Sequence, residues 1–261
     1  MMMRNWLINA CACLAIFLFL TPSFAAHPLI SDDAGTQGKG KFLFELNGQY
    51  DWDQDDVNGS AFKFEGGQAS ASLSYGIVDN VDLVVGLPYL WGKIKENDAT
   101  VYDEKGLGDA TLDVKCRLFE KDKFSLALKP GISIPTGSDE KGLGAGQLGG
   151  HLFFIASQEL GPLAVHANLG YIRNENKNGE RKDLWHISVA ATWDVIANLK
   201  LVANIGIERN PESDAANDPT FVIGGIIYSV TENFDVDLGV KCGMSRSETD
   251  FSLMTGIAYR F

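Results

Sequence analysis

The sequence predicts an all-β fold, a 12-stranded antiparallel transmembrane β-barrel preceded by a leader peptide. Three observations predict it. From Gly40 to the C-terminus the chain breaks into period-two segments of barrel-strand length, their connections alternate between short and long, and the N-terminal apolar run is too short to cross a bilayer.

The leader comes first. Arg4 is the one charge before an apolar run from Leu7 to Leu20, and Ser23-Phe24-Ala25 supplies the small residues a signal peptidase needs. At about 14 residues the run falls short of the roughly 20 a spanning helix requires. Residues 1–25 read as a secretory signal cut after Ala25. Cys11 and Cys13 lie inside the run rather than after it, which excludes a lipoprotein anchor. Residues 26–39 are then an N-terminal periplasmic segment and 40–261 the outer-membrane barrel. The formal charge of −12 becomes −13 when Arg4 is lost. Cleavage leaves Cys116 and Cys242, with neither CxxC nor zinc-ligand spacing. No other segment is apolar enough for a transmembrane helix, so any span must be made of strands.

Strands are expected near 40–52, 61–77, 81–94, 108–119, 123–135, 146–158, 162–173, 183–194, 199–208, 219–230, 234–245 and 250–261. Short turns sit at 78–80, 120–122, 159–161, 195–198 and 231–233. Longer polar or Gly-rich loops fall at 53–60, 95–107, 136–145, 174–182 and 209–218, with a tight one at 246–249. Sorting by length at two ends is the organisation of bacterial outer-membrane barrels, and it makes the turns periplasmic and the loops extracellular.

The faces fit. Leu112, Val114, Cys116 and Leu118 alternate with Thr111, Asp113, Lys115 and Arg117. Phe234, Val236, Leu238, Val240 and Cys242 alternate with Asp235, Asp237, Gly239 and Lys241. A soluble barrel would alternate too, and the aromatic positions help to tell the two apart. Trp52, Tyr89, Trp91, Tyr171 and Trp185 fall near loop ends, and Tyr75, Phe124, Trp193, Tyr228, Phe234 and Tyr259 near turn ends, as two interfacial girdles. Around 146–158 and 219–230 both faces are apolar, and Gly66-Gly67 reads as a bulge.

Candidate chemistry is sparse. Gly144-Ala-Gly-Gln-Leu-Gly149 matches a dinucleotide fingerprint but precedes a strand-like run, His151–Ile155, where that motif needs a helix. Asp51-x-Asp53-x-Asp55-Asp56 begins like an EF-hand loop, yet Asp56 replaces the turn glycine and Phe62 stands where the bidentate Glu belongs. His166 and His186 share the inward parity of Asn168, Ser188 and Thr192. No lipid-facing His with a cross-strand Ser partner is found, so no catalytic set, metal site or cofactor is expected. Pore-lining candidates are Asp113, Lys115, Arg117, Lys129, Asp235, Asp237 and Lys241. The full inward set balances seven cations (with Lys41, Lys200 and Arg260) against seven anions (with Glu45, Asp82, Asp194 and Glu208). The excess negative charge lies in the outer loops and disfavours nucleic acid.

Two resemblances add to this reading. Gly256-x-x-Tyr259-x-Phe261 resembles the C-terminal signature that outer-membrane barrels present to their assembly machinery, with Met254 standing where a polar residue is usual. His27–Phe42, Gly106–Lys115, Lys129–Gly137 and Gly142–Gly144 resemble the MetA-pathway phenol-degradation transporter family. That resemblance implies an outer-membrane barrel passing small, often aromatic or apolar, compounds, with lipid, the assembly machinery and a small solute as its partners. From the residues themselves, twelve strands predict a path narrower than a general porin's. A lipid-modifying enzyme and a non-conducting structural or adhesion barrel are the alternatives.

Overall fold

A computed structural model describes residues 27–57 and 59–261; the leader read at 1–25 and its cleavage site lie outside them. The strands are β1 (Phe42–Val57), β2 (Ser60–Val78), β3 (Val81–Glu96), β4 (Ala99–Leu107) and β5 (Ala110–Lys121). They continue with β6 (Phe124–Ile134), β7 (Gly149–Leu160), β8 (Leu163–Arg173) and β9 (Asp183–Ile196). The last four are β10 (Leu199–Glu208), β11 (Thr220–Thr231), β12 (Phe234–Gly243) and β13 (Phe251–Arg260). Strands pair antiparallel with their sequence neighbours except β4 and β5, which both pair β3, and β1 with β13 closes the sheet. The lower half of β3 pairs β5 while its upper half pairs β4. β4 and β5 are thus one stave broken at Gly108-Asp109, and the barrel has twelve staves. Closure matters because a strand edge exposed in hydrocarbon would leave unpaired amides.

Two expected loops are not loops. Residues 53–60 continue the β1–β2 ladder as far as Val57↔Ser60, and 95–107 form the β3–β4 hairpin. Asp51, Asp53 and Asp55 therefore lie along a strand, so the tight loop an EF-hand needs is not there. Gly66-Gly67 is no bulge either, since Asp51↔Gly66 and Tyr50↔Gly67 keep register, as do Gly92 and Trp91 on the other side. These glycines answer to space. A Cβ on Gly67 would run into the Gln49 backbone, and Gly67 has φ +155.

The outer surface is apolar, with Leu46, Val85, Leu87, Leu169, Ile205 and Leu238 exposed in mid-strand. Trp52, Tyr89 and Tyr171 are exposed at the loop ends, and Tyr75, Trp193, Tyr228 and Tyr259 at the turn ends. Cys116 and Cys242 are free, on β5 and β12.

The segment expected outside the barrel is inside it. Residues 27–37 run along the inner wall as an irregular strap, from β12 round to β3. Gly40 N–H then bonds the Gly76 carbonyl, and the chain enters β1. The reason is apolar as well as polar. Leu29 packs on Ala190, Val202 and Ile227, and Ile30 on Phe221, Ile223 and Met254. Ala34 packs on Ala127, Phe153 and Ile155. The doubly apolar strands and the out-of-pattern Met254 are the strap's seat.

The barrel closes on an aromatic ladder. Phe261 stacks on Phe42 at 5.2 Å and on Tyr259 at 5.5 Å, and Tyr259 meets Phe234 at 6.4 Å. At about 0.5–1.5 kcal/mol per pair, replacing Tyr259 and Phe261 together by Ala should cost about 1.5–4.5 kcal/mol. The expected outcome is loss of the heat-modifiable folded band in membrane fractions; wild-type amounts of that band would mean the C-terminal aromatics are dispensable.

Candidate functional site: the lumen and its strap

The strap is held by side chains that alternate inward from strand after strand. Asn204 on β10 accepts from the Ile30 and Ser31 amides at 2.8 and 3.0 Å. Asn168 on β8 accepts from the Asp32 amide and donates to its carbonyl, both at 2.7 Å. Ser157 on β7 accepts from the Ala34 amide at 2.9 Å, and Asp82 on β3 from Gln37 at 2.9 Å. Each bond satisfies a backbone group that burial would otherwise orphan.

At the centre lies a charge cluster. Asp32 Oδ1 takes Lys115 Nζ at 2.8 Å and Asp32 Oδ2 takes Lys129 Nζ at 3.1 Å. Lys129 also faces Asp113 Oδ2 at 3.7 Å, and Asp113 Oδ1 bonds His151 Nε2 at 2.8 Å. The pairs Asp113↔Gly131 and Cys116↔Leu128 put Lys115 directly opposite Lys129 on neighbouring strands. Like charges so placed repel, and the Asp32 carboxylate between them removes the repulsion. Lys129 is 1 % exposed and Asp32 also 1 %. Removing one partner of such a pair leaves a buried charge, at about 3–5 kcal/mol.

The other sequence candidates separate by depth. Asp237 binds His27 Nδ1 at 2.6 Å. Gly256 makes that bond possible, because a Cβ there would fall 2.6 Å from Asp237 Oδ2 and 2.8 Å from His27 Nδ1. Asp235 pairs with Arg260 at 2.7 Å and Arg117 with Glu120 at 3.0 Å, both towards the turn end. Lys241 sits at the loop end with Glu248, 2.8 Å away. Lys200 and Asp194, half-exposed at 3.7 Å, and the exposed Lys41 mark the turn-end rim.

Sequence reasoning missed Asp32, Ser31 and His27, all on the strap, and left His151 unassigned. The signal was there in part: Ser31-Asp32-Asp33-Ala34-Gly35 is small and polar beside strands with surplus inner apolar residues.

Two cavities that share Asp33, Gly35, Ile227, Asp235 and Arg260 as lining lie on the turn-end side of the strap. The outer one, about 720 Å3, is lined by Arg117, His166, Lys200, Asp235 and Arg260. The inner one, about 240 Å3, reaches Glu45, Asn47, Asp82 and Asp237. On the loop-end side, residues 135–148 fold into the barrel mouth. Asp109 accepts from Gly137 and Ala145 amides at 2.9 and 2.8 Å. Leu143 then packs on Phe62, Phe64, Leu90 and Ile94. Of Gly144–Gly149, residues 144–148 belong to this loop and Gly149 opens β7, a strand and not a helix. Lys177 bonds Asp139 across loops at 3.0 Å and holds that carboxyl below its ordinary range.

A further constellation is buried under the strap. His186 Nδ1 meets Glu208 Oε1 at 2.7 Å, and its Nε2 meets Ser188 Oγ at 2.7 Å. Ser31 Oγ donates to Ser188 Oγ at 2.7 Å and covers it.

A family model described as "Putative MetA-pathway of phenol degradation" matches residues 73–261, and the chain belongs to that family. The fold is similar to an outer-membrane channel from Pseudomonas putida F1, with TM-score 0.71 and 16% identity over 88% of this chain and 98% of that one. It is also similar to the translocator domain of the autotransporter NalP from Neisseria meningitidis, with TM-score 0.60 and 14% identity over 97% and 98%. The transport unit of the autotransporter AIDA-I from Escherichia coli gives TM-score 0.58 and 13% identity over 97% of each chain. At such identities the likeness is one of fold. Comparison with curated protein sequences finds no match.

Gly131 tests the central cluster. A Cβ there would overlap both the Asp113 carboxylate and the His151 ring, whereas a Cβ on Gly224 meets nothing within 4 Å. Gly131→Ala should therefore destabilise the folded barrel by about 1–3 kcal/mol and Gly224→Ala by far less. The unfolding temperature in detergent reads both, and equal values would count against a tightly packed cluster.

Proposed function

We propose that this family member is a passive outer-membrane channel for small solutes, aromatic and apolar ones among them. The observation that carries the reading is the lumen. It is polar inside an apolar wall, with cavities of about 720 and 240 Å3 leading inward from the turn end to a strap that is continuous with β1 and held along the lumen by hydrogen bonds and ion pairs. Filled interiors belong to narrower barrels and open pores to wider ones; twelve staves leave room for a segment that occupies the path. Family membership supports the same substrate class.

Within this reading Arg117, Asp235 and Arg260 line the entrance, Lys115, Lys129 and Asp237 hold the strap, and Asp113 stands behind Lys129. Lys241 belongs to the loop-end half. The assembly role of Gly256, Tyr259 and Phe261 stands beside their packing roles. With the chain in the outer membrane, the five two-residue turns face the periplasm and the loops face outward. Cysteine labels at 209–218 should react in intact cells while labels at 120–122 and 231–233 should not. Labelling of the turns alone would invert the orientation.

One observation favours a second reading, an enzyme. Glu208, His186 and Ser188 form an acid–base–nucleophile order. They sit in the lumen beneath Ser31, and all four histidines of the described residues face inward, away from a lipid substrate.

Planar-bilayer conductance, liposome swelling and ester hydrolysis on one purified sample separate the readings. Wild type should pass small currents with weak ion selectivity. Arg117→Glu should shift selectivity towards cations at low salt, where the Debye length is about 30 Å at 0.01 M, and Leu112→Ala should not. Lys115→Glu should also raise the current, because a carboxylate facing Asp32 repels the strap. Ester hydrolysis abolished by Ser188→Ala, with no conductance or solute uptake, would replace the channel by the enzyme.

A further inference from the structure

The Asp32 carboxylate occupies a site whose parts suit more than a structural pair. Two ammonium groups approach different oxygens of one carboxylate, at 2.8 and 3.1 Å. Asn168 offers both a donor and an acceptor to the amide unit beside it. Phe153 is the cross-strand partner of Lys129 on the lumen wall, with Ile155 opposite Ala127 one row along. These three apolar residues form the patch on which Ala34 of the strap packs. Phe153 is held edge-on between His151 and His186, at 5.8 and 5.7 Å. The wall thus presents a paired cationic head site next to an apolar, partly aromatic shelf.

The lysine pair itself argues for an anion. Lys115 and Lys129 are directly opposed and buried, an arrangement that costs energy unless an acceptor bridges them. On the wall Asp113 lies 3.7 Å from Lys129 and is already bonded to His151. The closest acceptors of Lys115, Asp32 and Asp33, both belong to the strap. When the strap leaves, Lys115 loses both of these acceptors, while Asp113 stays 3.7 Å from Lys129 and Glu45 and Asp82 stay on the wall of the same cavity. The inner cavity, lined by Asp32, Lys115 and Lys129, brings solute to this point from the turn end.

We propose that Lys115, Lys129 and Asn168, with the Ala127–Phe153–Ile155 shelf, form a binding site for small carboxylates bearing an apolar or aromatic body, and that Asp32 occupies it as an internal mimic. This deepens the channel reading and rests on it for its biological use. A solute carboxylate would exchange for Asp32 with no net change in charge at the lysines, and binding would be coupled to release of the strap. The occupied site lowers the apparent affinity of any competitor by the fraction of time it is free.

The test uses the purified full chain in detergent, benzoate as probe and benzamide as the uncharged control of equal shape. Asp32→Ala should lower the unfolding temperature, and benzoate should restore it while benzamide does not. Benzoate should act on Asp32→Ala at a concentration at least about tenfold lower than on wild type. Adding Lys115→Met and Lys129→Met to Asp32→Ala should abolish the benzoate effect. Should Asp32→Ala fail to fold, its refolding yield becomes the readout: a yield rescued by benzoate supports the site, and equal failure with benzoate and benzamide overturns it. Equal response to the two probes, or a response that survives loss of both lysines, also overturns it. Stabilisation by benzoate with no potassium chloride current in any variant would uphold the site and sink the channel reading. Current without a benzoate effect would do the reverse.

Discussion

A closed sheet in hydrocarbon satisfies its own backbone, so the demanding chemistry moves to the inside. There the decisive interaction is the Asp32 carboxylate between Lys115 and Lys129. Two like charges on adjacent staves of a narrow lumen would push β5 and β6 apart. A carboxylate carried in by the N-terminal segment turns that repulsion into attraction, and Asn168, Ser157 and Asn204 then hold the segment's backbone in line. Desolvated pairs of this kind stabilise little in net terms but are costly to break singly, which makes the cluster a register-setting contact more than a source of stability.

The strap also explains the wall. A lumen filled with water alone would carry polar residues throughout. Instead Phe153, Ile155, Phe221, Ile223 and Met254 face inward, each under 8 % exposed. They are buried because Ile30 and Ala34 cover them. The polar strap bonds and the apolar seat are complementary: the first fix orientation, and the second supplies non-directional attraction that lets the strap dock as a unit.

The two mouths are built differently. At the turn end, two-residue hairpins leave a vestibule rimmed by exposed ion pairs that add little stability. At the loop end, the 135–148 loop is anchored at Asp109 and inserts Leu143 among Phe62, Phe64, Leu90 and Ile94. Arg181 ties the 174–182 loop to 209–218 through three carbonyls at 2.6–2.9 Å. The strap therefore has charge on one side and an apolar, folded-in loop on the other.

Local sequence was enough for the staves. Period-two patterning and turn residues act over a few positions, so strand number, facing and the aromatic girdles could all be read from it. The inward placement of Asp113, Lys115, Lys129 and Asp237 followed from parity alone. Two loops were misread because a hairpin protruding past the membrane loses its apolar face and looks like polar loop, as 53–60 and 95–107 do. The strap could not be read, since residues 27–37 have no periodicity and their partners lie up to 210 positions away, as His27 and Asp237 do. Which charges pair is a property of the closed circumference: Lys115 and Lys129 are near in sequence, but only barrel closure brings Asp32 between them.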